Sequence, residues 1–216
     1  RSLCDWSSDV CSSDLTLERF VYASSSSVYG DAESYPTPET ALPRPFSPYG
    51  VTKLAGEHLV LLYGRNFGLP VAALRYFTVY GPRQRPDMAF HRFCRAMLQG
   101  EPIPVYGDGK QSRDFTFIAD AIEANVRAWR RAAPQGVYNI GGGSQVEVLE
   151  AIALLEERLG VKANLRFEPR PPGDPLRTRA DAARLAADLD YTTTVNIGDG
   201  LAAEAEWARK LYGGAR

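Results

Sequence analysis

The sequence has 216 residues, of which 44% are hydrophobic and 24% are charged, proportions typical of a globular protein. Its 25 lysines and arginines against 26 aspartates and glutamates give a net charge of -1, so neither nucleic acid nor an anionic membrane is expected as a partner. Because the apolar stretches are too short to span a membrane and no secretory leader is evident, we expect a cytoplasmic protein.

The first fifteen residues, RSLCDWSSDVCSSDL, lack helical period and strand alternation. The run from Asp5 to Leu15 resembles a translated sequencing-library adapter, and the alternative is a natural disordered serine-rich tail. We expect segment 1–15 to be non-native and the natural protein to begin well upstream. Without Cys4 and Cys11 only Cys94 remains, which predicts no disulfide framework and no metal site.

The remaining chain alternates between short apolar runs and helical periodicity. In chain order the sequence predicts strand 20–23, an irregular loop with five prolines at 35–48, helix 49–67 ended by Gly68, strand 71–77, helix 89–99, strand 102–105, helix 121–131 with Asp120 as N-cap, strand 137–140, helix 146–159 ended by Gly160, and alanine-rich helices ending near Tyr212. Leu54, Leu59, Leu62 and Tyr63 form the predicted apolar face of helix 49–67. Strand, helix, strand, with strands apolar on both faces, indicates a parallel α/β sheet.

Four consecutive hydroxyls, Ser24 to Ser27, follow the first predicted strand. Serines often end strands and make turns by bonding to nearby backbone groups. Alternatively, the hydroxyls converge on a ligand, because ligands of open α/β sheets bind at the carboxyl ends of the strands.

Tyr49 and Lys53 form a Tyr-x-x-x-Lys pair at the start of the long predicted helix. Residues four apart share one helix face, and an ammonium beside a phenol favours the phenolate, as a general base requires. The pair alone is weak evidence, since this spacing is common on solvated helices. The hydroxyl-rich strand end strengthens it, because both could reach the same substrate oxygen.

Six stretches together resemble the extended short-chain dehydrogenases/reductases that act on nucleotide sugars. They are FVYASSSSVYGD, YGVTK, LRYFTVYGPRQRPDMA, PVYGDGKQSRDFTFIAD, VYNIGGG and RPPGD, within residues 16 to 212. The resemblance implies the C-terminal part of a doubly wound parallel-sheet (Rossmann) domain, truncated at its N-terminus and interleaved with a smaller α/β substrate-binding domain. The implied boundaries are 16–85 for the remaining NAD-binding part, 86–117 for a substrate-binding insertion, 118–143 for the return to the Rossmann domain, and 144–216 for the C-terminal substrate-binding domain.

The resemblance also implies a catalytic triad and a cofactor. Ser25 matches the hydroxyl of the family's Ser-Tyr-Lys triad, Tyr49 the base, and Lys53 its partner, which also bonds the nicotinamide ribose. Tyr49, Lys53 and Tyr76 are the implied NAD contacts. The family's glycine-rich dinucleotide loop is absent, and Gly141–Gly143 lacks its spacing and is better explained as a strand-to-helix turn.

Two positions indicate which reaction of the family to expect. Dehydratases carry Asp-Glu at the positions of Ser26 and Ser27, and decarboxylases of UDP-glucuronate usually carry Glu at the second, whereas serine cannot act as a general acid near neutral pH. Thr78 and Arg85 resemble the pattern of UDP-glucuronate 4-epimerases, since UDP-glucose epimerases usually have Asn where Thr78 stands. Three neutral hydroxyls and a nearby cation suit a sugar carboxylate.

The nucleotide end of the implied substrate site lies further along the chain. Arg113 matches the family's pyrophosphate arginine, and Val105 and Tyr106 would flank the uracil. Arg170 and Asp174 resemble the pair that grips phosphate and ribose, although Arg170 lies one residue further from the aspartate than in the usual pattern.

These residues predict an NAD-dependent UDP-sugar 4-epimerase, with UDP-glucuronate favoured and UDP-glucose or UDP-N-acetylglucosamine next. A dehydratase or decarboxylase of the same family, or a non-catalytic nucleotide-sugar-binding remnant, stays open as an alternative. The family usually dimerises through the helix containing Tyr49 and the helix before the serine strand, so we expect a homodimer for the full-length protein. Because the dinucleotide loop is missing, we expect the truncated chain to be inactive.

Overall fold

A computed structural model describes residues 17–171 and 175–213. Its strands are β1 (Phe20–Ser25), β2 (Val71–Tyr76), β3 (Thr78–Tyr80), β4 (Pro102–Tyr106), β5 (Ser112–Phe117), β6 (Gly136–Ile140), β7 (Ser144–Glu147) and β8 (Asn164–Glu168). Its helices are α1 (Pro48–Phe67), α2 (Ala89–Gln99), α3 (Ile118–Arg131), α4 (Val148–Leu159), α5 (Ala183–Leu189) and α6 (Ile197–Tyr212). The non-native segment predicted at 1–15 lies outside the described residues.

A parallel sheet of order β1-β2-β6 confirms the predicted α/β fold. Helices cover both of its faces. Side chains alternate along β2, so Leu74 packs in a core with alanines of α3, whereas Arg75 points toward α1. The register pairs Ser24 with Arg75 and Ser25 with Tyr76, so β1 and β2 end together. The serine stretch therefore lies at the carboxyl edge of the sheet, where open α/β folds bind ligands.

The rest of the chain builds a second core around two smaller sheets. Strands β3, β5 and β7 form one sheet, and β4 pairs with β8 in the other. Side chains of α2, α4 and α6 fill this core around Tyr80, Phe90 and Phe115. No helix in the described ranges is long and apolar enough to cross a membrane.

Helix α1 begins and ends where its sequence signals predict but buries a different face. The Ser47 side chain accepts the Gly50 N–H at 3.0 Å, and Gly68 ends the helix at φ 70°. The predicted apolar face is largely solvent-exposed, with Leu59 at 55% and Leu62 at 49% exposure. The buried residues of the helix are instead Gly50, Glu57 and Gly64. The two glycines let the helix approach its neighbours closely.

Asp120 is not the N-cap that the sequence predicts. Helix α3 begins at Ile118, which places Asp120 inside its first turn, and the carboxylate is 2% exposed. It accepts hydrogen bonds from the Tyr191 hydroxyl at 2.5 Å, the Thr194 N–H at 3.0 Å and the Val195 N–H at 3.1 Å. The residue therefore ties the helix to the segment that precedes α6.

The predicted start of the helix at 146 is also wrong. Val146 belongs to β7, which pairs with β5 in antiparallel register, and α4 begins at Val148. Gly141–Gly143 accordingly joins β6 to β7, a strand-to-strand connection instead of the predicted strand-to-helix turn. The Gly142 N–H donates to the buried carboxylate of Asp114 at 3.0 Å, which fixes this connection.

Candidate active site

The serine stretch makes a turn at the carboxyl end of β1. A single 3₁₀ turn over Ser26–Val28 follows the strand, and Ser25 Oγ accepts the Ser27 N–H at 3.1 Å. Ser25 is 7% exposed, while Ser26 and Ser27 are half-buried. Ser25 therefore helps to form a turn, and this turn holds the hydroxyls of Ser26 and Ser27 at the sheet edge.

Lys53 reaches back to the same edge from α1. Its Nζ donates to the Ala23 carbonyl at 2.9 Å and lies 5.6 Å from the Tyr22 ring centre and 5.8 Å from the Tyr49 ring centre. Tyr49 is 55% exposed, so its phenol is open to a substrate. Burial, with smaller contributions from Glu57 and Tyr49, raises the pKa of Tyr22, which keeps that neighbouring phenol neutral.

Close packing brings the start of α1 onto the serine turn. A Cβ added to Gly50 would lie 2.5 Å from the Ser27 carbonyl oxygen and 2.9 Å from Pro45 Cβ, so only glycine fits there. Six residues further along the helix, a Cβ at Gly56 would overlap the Tyr22 hydroxyl. Two glycines therefore let α1 lie against β1, and Tyr49 stands beside the turn formed by Ser25 to Ser27.

A buried polar cluster that sequence reasoning missed lies beneath this edge. Glu57 and Arg75 form an ion pair at 2.5 Å, with 1% and 5% of the residues exposed. Ser24 Oγ donates to Glu57 at 2.6 Å, Arg75 donates to the Tyr29 hydroxyl at 2.8 Å, and that hydroxyl donates to Asn139 at 2.7 Å. One signal could have revealed it: Arg75 is a charged residue inside the apolar run of β2, which demands a buried partner.

Tyr76, a predicted cofactor contact, is paired with Ser25 across the two strands. Its hydroxyl donates to Asn125 Oδ1 of α3 at 2.7 Å, and burial raises its pKa to about 12. The phenol is therefore neutral and points to the face of the sheet opposite α1.

The two residues predicted to favour a uronate lie beyond β2. Thr78 opens β3 and is half-buried, two residues after Tyr76. Arg85 lies exposed in the following loop, where its guanidinium forms a two-point pair with Asp87 at 3.1 and 2.7 Å. This pairing, with a smaller contribution from the Tyr49 phenol, raises the pKa of Arg85.

The residues predicted for the nucleotide end are only partly placed for contact. Val105 is 1% exposed and packs into the second core, whereas Tyr106 is half-buried. Arg113 donates to the Ser112 carbonyl at 3.1 Å, and the exposed Arg170 lies beside Gly107 at the end of β4. Asp174 lies outside the described residues.

The edge thus gathers an exposed phenol, a fixed ammonium and several hydroxyls, a set suited to moving a proton on and off a sugar hydroxyl. Within residues 17–171 and 175–213, no group of three or more His, Cys, Asp or Glu side chains is arranged to hold a metal ion.

Comparison with known proteins gives one consistent picture. The model of the NAD dependent epimerase/dehydratase family matches residues 3–141. The crystal structure of a UDP-glucuronic acid 4-epimerase from Bacillus cereus, in complex with UDP-glucuronic acid and NAD, is 46% identical, with a TM-score of 0.87 over 92% of this chain and 64% of that one.

Two curated relatives extend the comparison. A Bacillus subtilis protein named as an uncharacterized UDP-glucose epimerase, YtcB, is 44% identical over 92% of this chain and 63% of its own length. UDP-glucuronate 4-epimerase 1 from Arabidopsis thaliana is 35% identical over 95% of this chain and 52% of its own length. The chain therefore spans somewhat more than half to just under two thirds of the length of these relatives.

Proposed function

We propose that this chain, which belongs to the NAD dependent epimerase/dehydratase family, carries the catalytic and sugar-binding part of a UDP-sugar 4-epimerase, with UDP-glucuronate as the favoured substrate. The observation that carries the proposal is the position of Lys53. Its ammonium is fixed by the Ala23 carbonyl, beside the Tyr49 ring and the serine turn. A phenol, an ammonium and a hydroxyl at one sheet edge form the constellation that such a reaction uses.

The residues present fit the nicotinamide end of NAD. An ammonium has three donors, and the bond to Ala23 uses one of them, so Lys53 can also donate to ribose hydroxyls. The exposed Tyr49 hydroxyl can contact the same sugar ring. Bound NAD would take a hydride from C4 of the substrate and return it to that carbon. The described residues at this edge do not include a segment that binds the dinucleotide phosphates.

In this proposal Tyr49 acts as the general base. Its phenolate removes the proton of the C4 hydroxyl while C4 is oxidised to a ketone, and Lys53 stabilises the phenolate. Ser25 donates a hydrogen bond to the same oxygen. The 4-keto sugar then turns so that its opposite face is reduced, and Tyr49 returns the proton to the new hydroxyl.

Neutral hydroxyls favour a uronate over other UDP-sugars. Ser26, Ser27 and Thr78 can donate to a C6 carboxylate without repelling it, and Arg85 can compensate its charge. Because a 4-keto uronate is a β-keto acid, it loses carbon dioxide when the carboxylate bond lies parallel to the carbonyl π system. Hydroxyls that hold the carboxylate in another orientation would suppress this loss, which distinguishes an epimerase from a decarboxylase.

An isotope experiment tests the proposal. The protein expressed from its complete reading frame is incubated with NAD and UDP-glucuronate carrying deuterium at C4, and products are followed by NMR. We expect UDP-galacturonate that retains deuterium at C4, and a loss of kcat of at least about 100-fold in Tyr49→Phe. Deuterium lost to water would contradict transient oxidation at C4, and release of carbon dioxide would favour a decarboxylase.

A further inference from the structure

We propose that the buried Glu57–Arg75 ion pair is a positioning pair for the reaction, which fixes Ser25 relative to Tyr49 and Lys53. The inference rests on the proposed function, in which these three residues act together. Both members are buried beneath the sheet edge, so both act through other residues.

The contacts of the pair join the elements that carry the catalytic groups. Glu57 belongs to α1, and its Oε2 accepts both Arg75 Nε at 3.0 Å and Ser24 Oγ at 2.6 Å. Its Oε1 accepts Arg75 Nη2 at 2.5 Å. One carboxylate therefore links helix α1 to both strands at the point where the strands end.

The spacing of Glu57 connects it to the catalytic residues on the same helix. Tyr49, Lys53 and Glu57 follow one another at intervals of four residues, so they share the face of α1 that meets β1. On the strand side, Ser24 immediately precedes Ser25 and is the register partner of Arg75. A shift of α1 along β1 would break the bonds of Glu57 and would move Tyr49 relative to Ser25.

Stability alone gives little reason for charges at this place. A buried ion pair contributes little net stability, because desolvation offsets the attraction, and apolar residues of similar volume are often as stable. What such a pair does provide is directional bonding, since a guanidinium and a carboxylate match in one planar geometry. Arg75 extends this to the Tyr29 hydroxyl and the Glu39 carbonyl, which fixes the turn after Ser27 and the proline-rich loop.

The pair also keeps the interior beneath Tyr49 electrically neutral. Glu57 lies eight residues from Tyr49, about 12 Å along the helix axis. In the described part of the chain, Lys53 on α1, Tyr22 on β1 and Arg85 in the loop after β3 also interact with Tyr49. Changing one member of the pair alone would therefore leave a buried charge without its partner beneath Tyr49.

The first test removes only the link to the strand. Ser24→Ala leaves the ion pair intact, so we expect a folded protein with kcat lowered about 3- to 10-fold and an unchanged KM for the UDP-sugar, consistent with one lost hydrogen bond. Ser34→Ala, at an exposed serine of the loop before α1, is the control and should leave both constants unchanged. A wild-type kcat in Ser24→Ala overturns the proposal.

The second test changes the charge and keeps the shape. Glu57→Gln keeps the length of the side chain but removes its charge-assisted bonds to Arg75 and Ser24, so we expect kcat to fall at least about 10-fold at an unchanged KM for the UDP-sugar. The double variant Glu57→Gln with Arg75→Met removes both charges and should restore the stability of the fold while kcat stays at least about 10-fold low. Glu206→Gln, at an exposed ion pair with Lys210, should change nothing.

The outcomes separate this inference from the proposed function. If Glu57→Gln does not fold, the double variant replaces it, and a wild-type kcat there overturns the inference, as does a wild-type kcat in a folded Glu57→Gln. If the wild-type protein turns over no UDP-sugar, the proposed function fails. The pair is then tested without turnover, by the NMR signals of ¹³Cζ-labelled tyrosine with Tyr49→Phe as the assignment, and a displaced Tyr49 signal in Ser24→Ala is required.

Discussion

At the scale of single residues, the proposed preference for a uronate rests on the charge of the side chains at the sheet edge. Ser26 and Ser27 are half-buried neutral groups beside an exposed phenol, and Lys53 supplies the nearby positive charge. The meeting of Lys53 with the serine-ended strand was predictable, because a Tyr-x-x-x-Lys helix after such a strand is a local pattern. Glu57 was not predicted as a partner of Arg75, because 18 residues separate them and only the fold joins them.

A negative charge at position 27 should lower the activity toward UDP-glucuronate. Ser27→Glu places a carboxylate where the uronate carboxylate is expected, so we expect kcat/KM for UDP-glucuronate to fall at least about 10-fold below that of Ser27→Gln. The glutamine variant has the same shape without the charge and is the matched control. Steady-state assays at pH 8 compare the two, and equal values would argue against a carboxylate near this residue.

Arg85 should act on the uronate and not on a neutral sugar. Arg85→Ala removes a cation that is held by Asp87, so we expect the KM for UDP-glucuronate to rise about 10-fold, the effect of one charged hydrogen bond, while turnover of UDP-glucose is unchanged. Arg92→Ala changes another exposed arginine, on α2, and should have no effect. Equal losses on both substrates would show that Arg85 does not recognise the carboxylate.

At the scale of secondary structure, long periodic segments were predictable and short polar strands were not. Strands β1 and β2 and helices α1 and α2 lie within about two residues of their predicted bounds. Strands β3 and β5 were missed, since β3 has three residues and β5, SRDFTF, is mostly polar. Asp114 of β5 is held by tertiary contacts that the sequence does not reveal, since it accepts the Ala180 N–H at 2.8 Å.

Helix α6 contains a carboxyl group that should make stability depend on pH. Glu204 is fully buried, its oxygens have no hydrogen-bond partner in the described part of the chain, and burial raises its pKa from 4.5 to about 7. Because the folded state binds this proton more tightly than the unfolded state does, its contribution is complete below pH 4.5 and is lost as pH rises toward and beyond 7. We expect a loss of about 3 kcal/mol in the free energy of unfolding.

Urea unfolding at pH 5 and pH 8 measures this effect. Glu204→Gln should remove most of the loss, whereas Glu206→Gln, two residues along the same helix and paired with Lys210, should behave as wild type. If Glu204→Gln and the wild type lose equal free energy between the two pH values, Glu204 is not the responsible group.

At the scale of the whole molecule, the parallel sheet has an open side. Within the described ranges β1 pairs with β2 alone, and the surface beside it includes Val21, Trp129 at 48% exposure and Ile122 at 56%. The relatives are longer than this chain, so their sheets and surfaces need not share this feature. An apolar surface next to an unpaired strand edge favours association.

Residues 17–216 expressed alone should therefore self-associate. We expect light scattering after size exclusion to show a mass that rises with concentration, and Trp129→Lys to reduce this rise because it places a charge on the apolar surface. Leu211→Lys, at a residue of α6 that is 54% exposed, is the matched control and should leave association unchanged. A monomer at all concentrations would show that this apolar surface does not drive self-association.

The most direct test of the central claim is competition among sugars. The protein from the complete reading frame is incubated with NAD and equal amounts of UDP-glucuronate, UDP-glucose and UDP-N-acetylglucosamine, and the anomeric proton signals are followed by NMR. We expect UDP-galacturonate to form first, with total uronate constant. Conversion of UDP-glucose or UDP-N-acetylglucosamine while UDP-glucuronate is untouched would contradict recognition of a carboxylate by Ser26, Ser27 and Thr78.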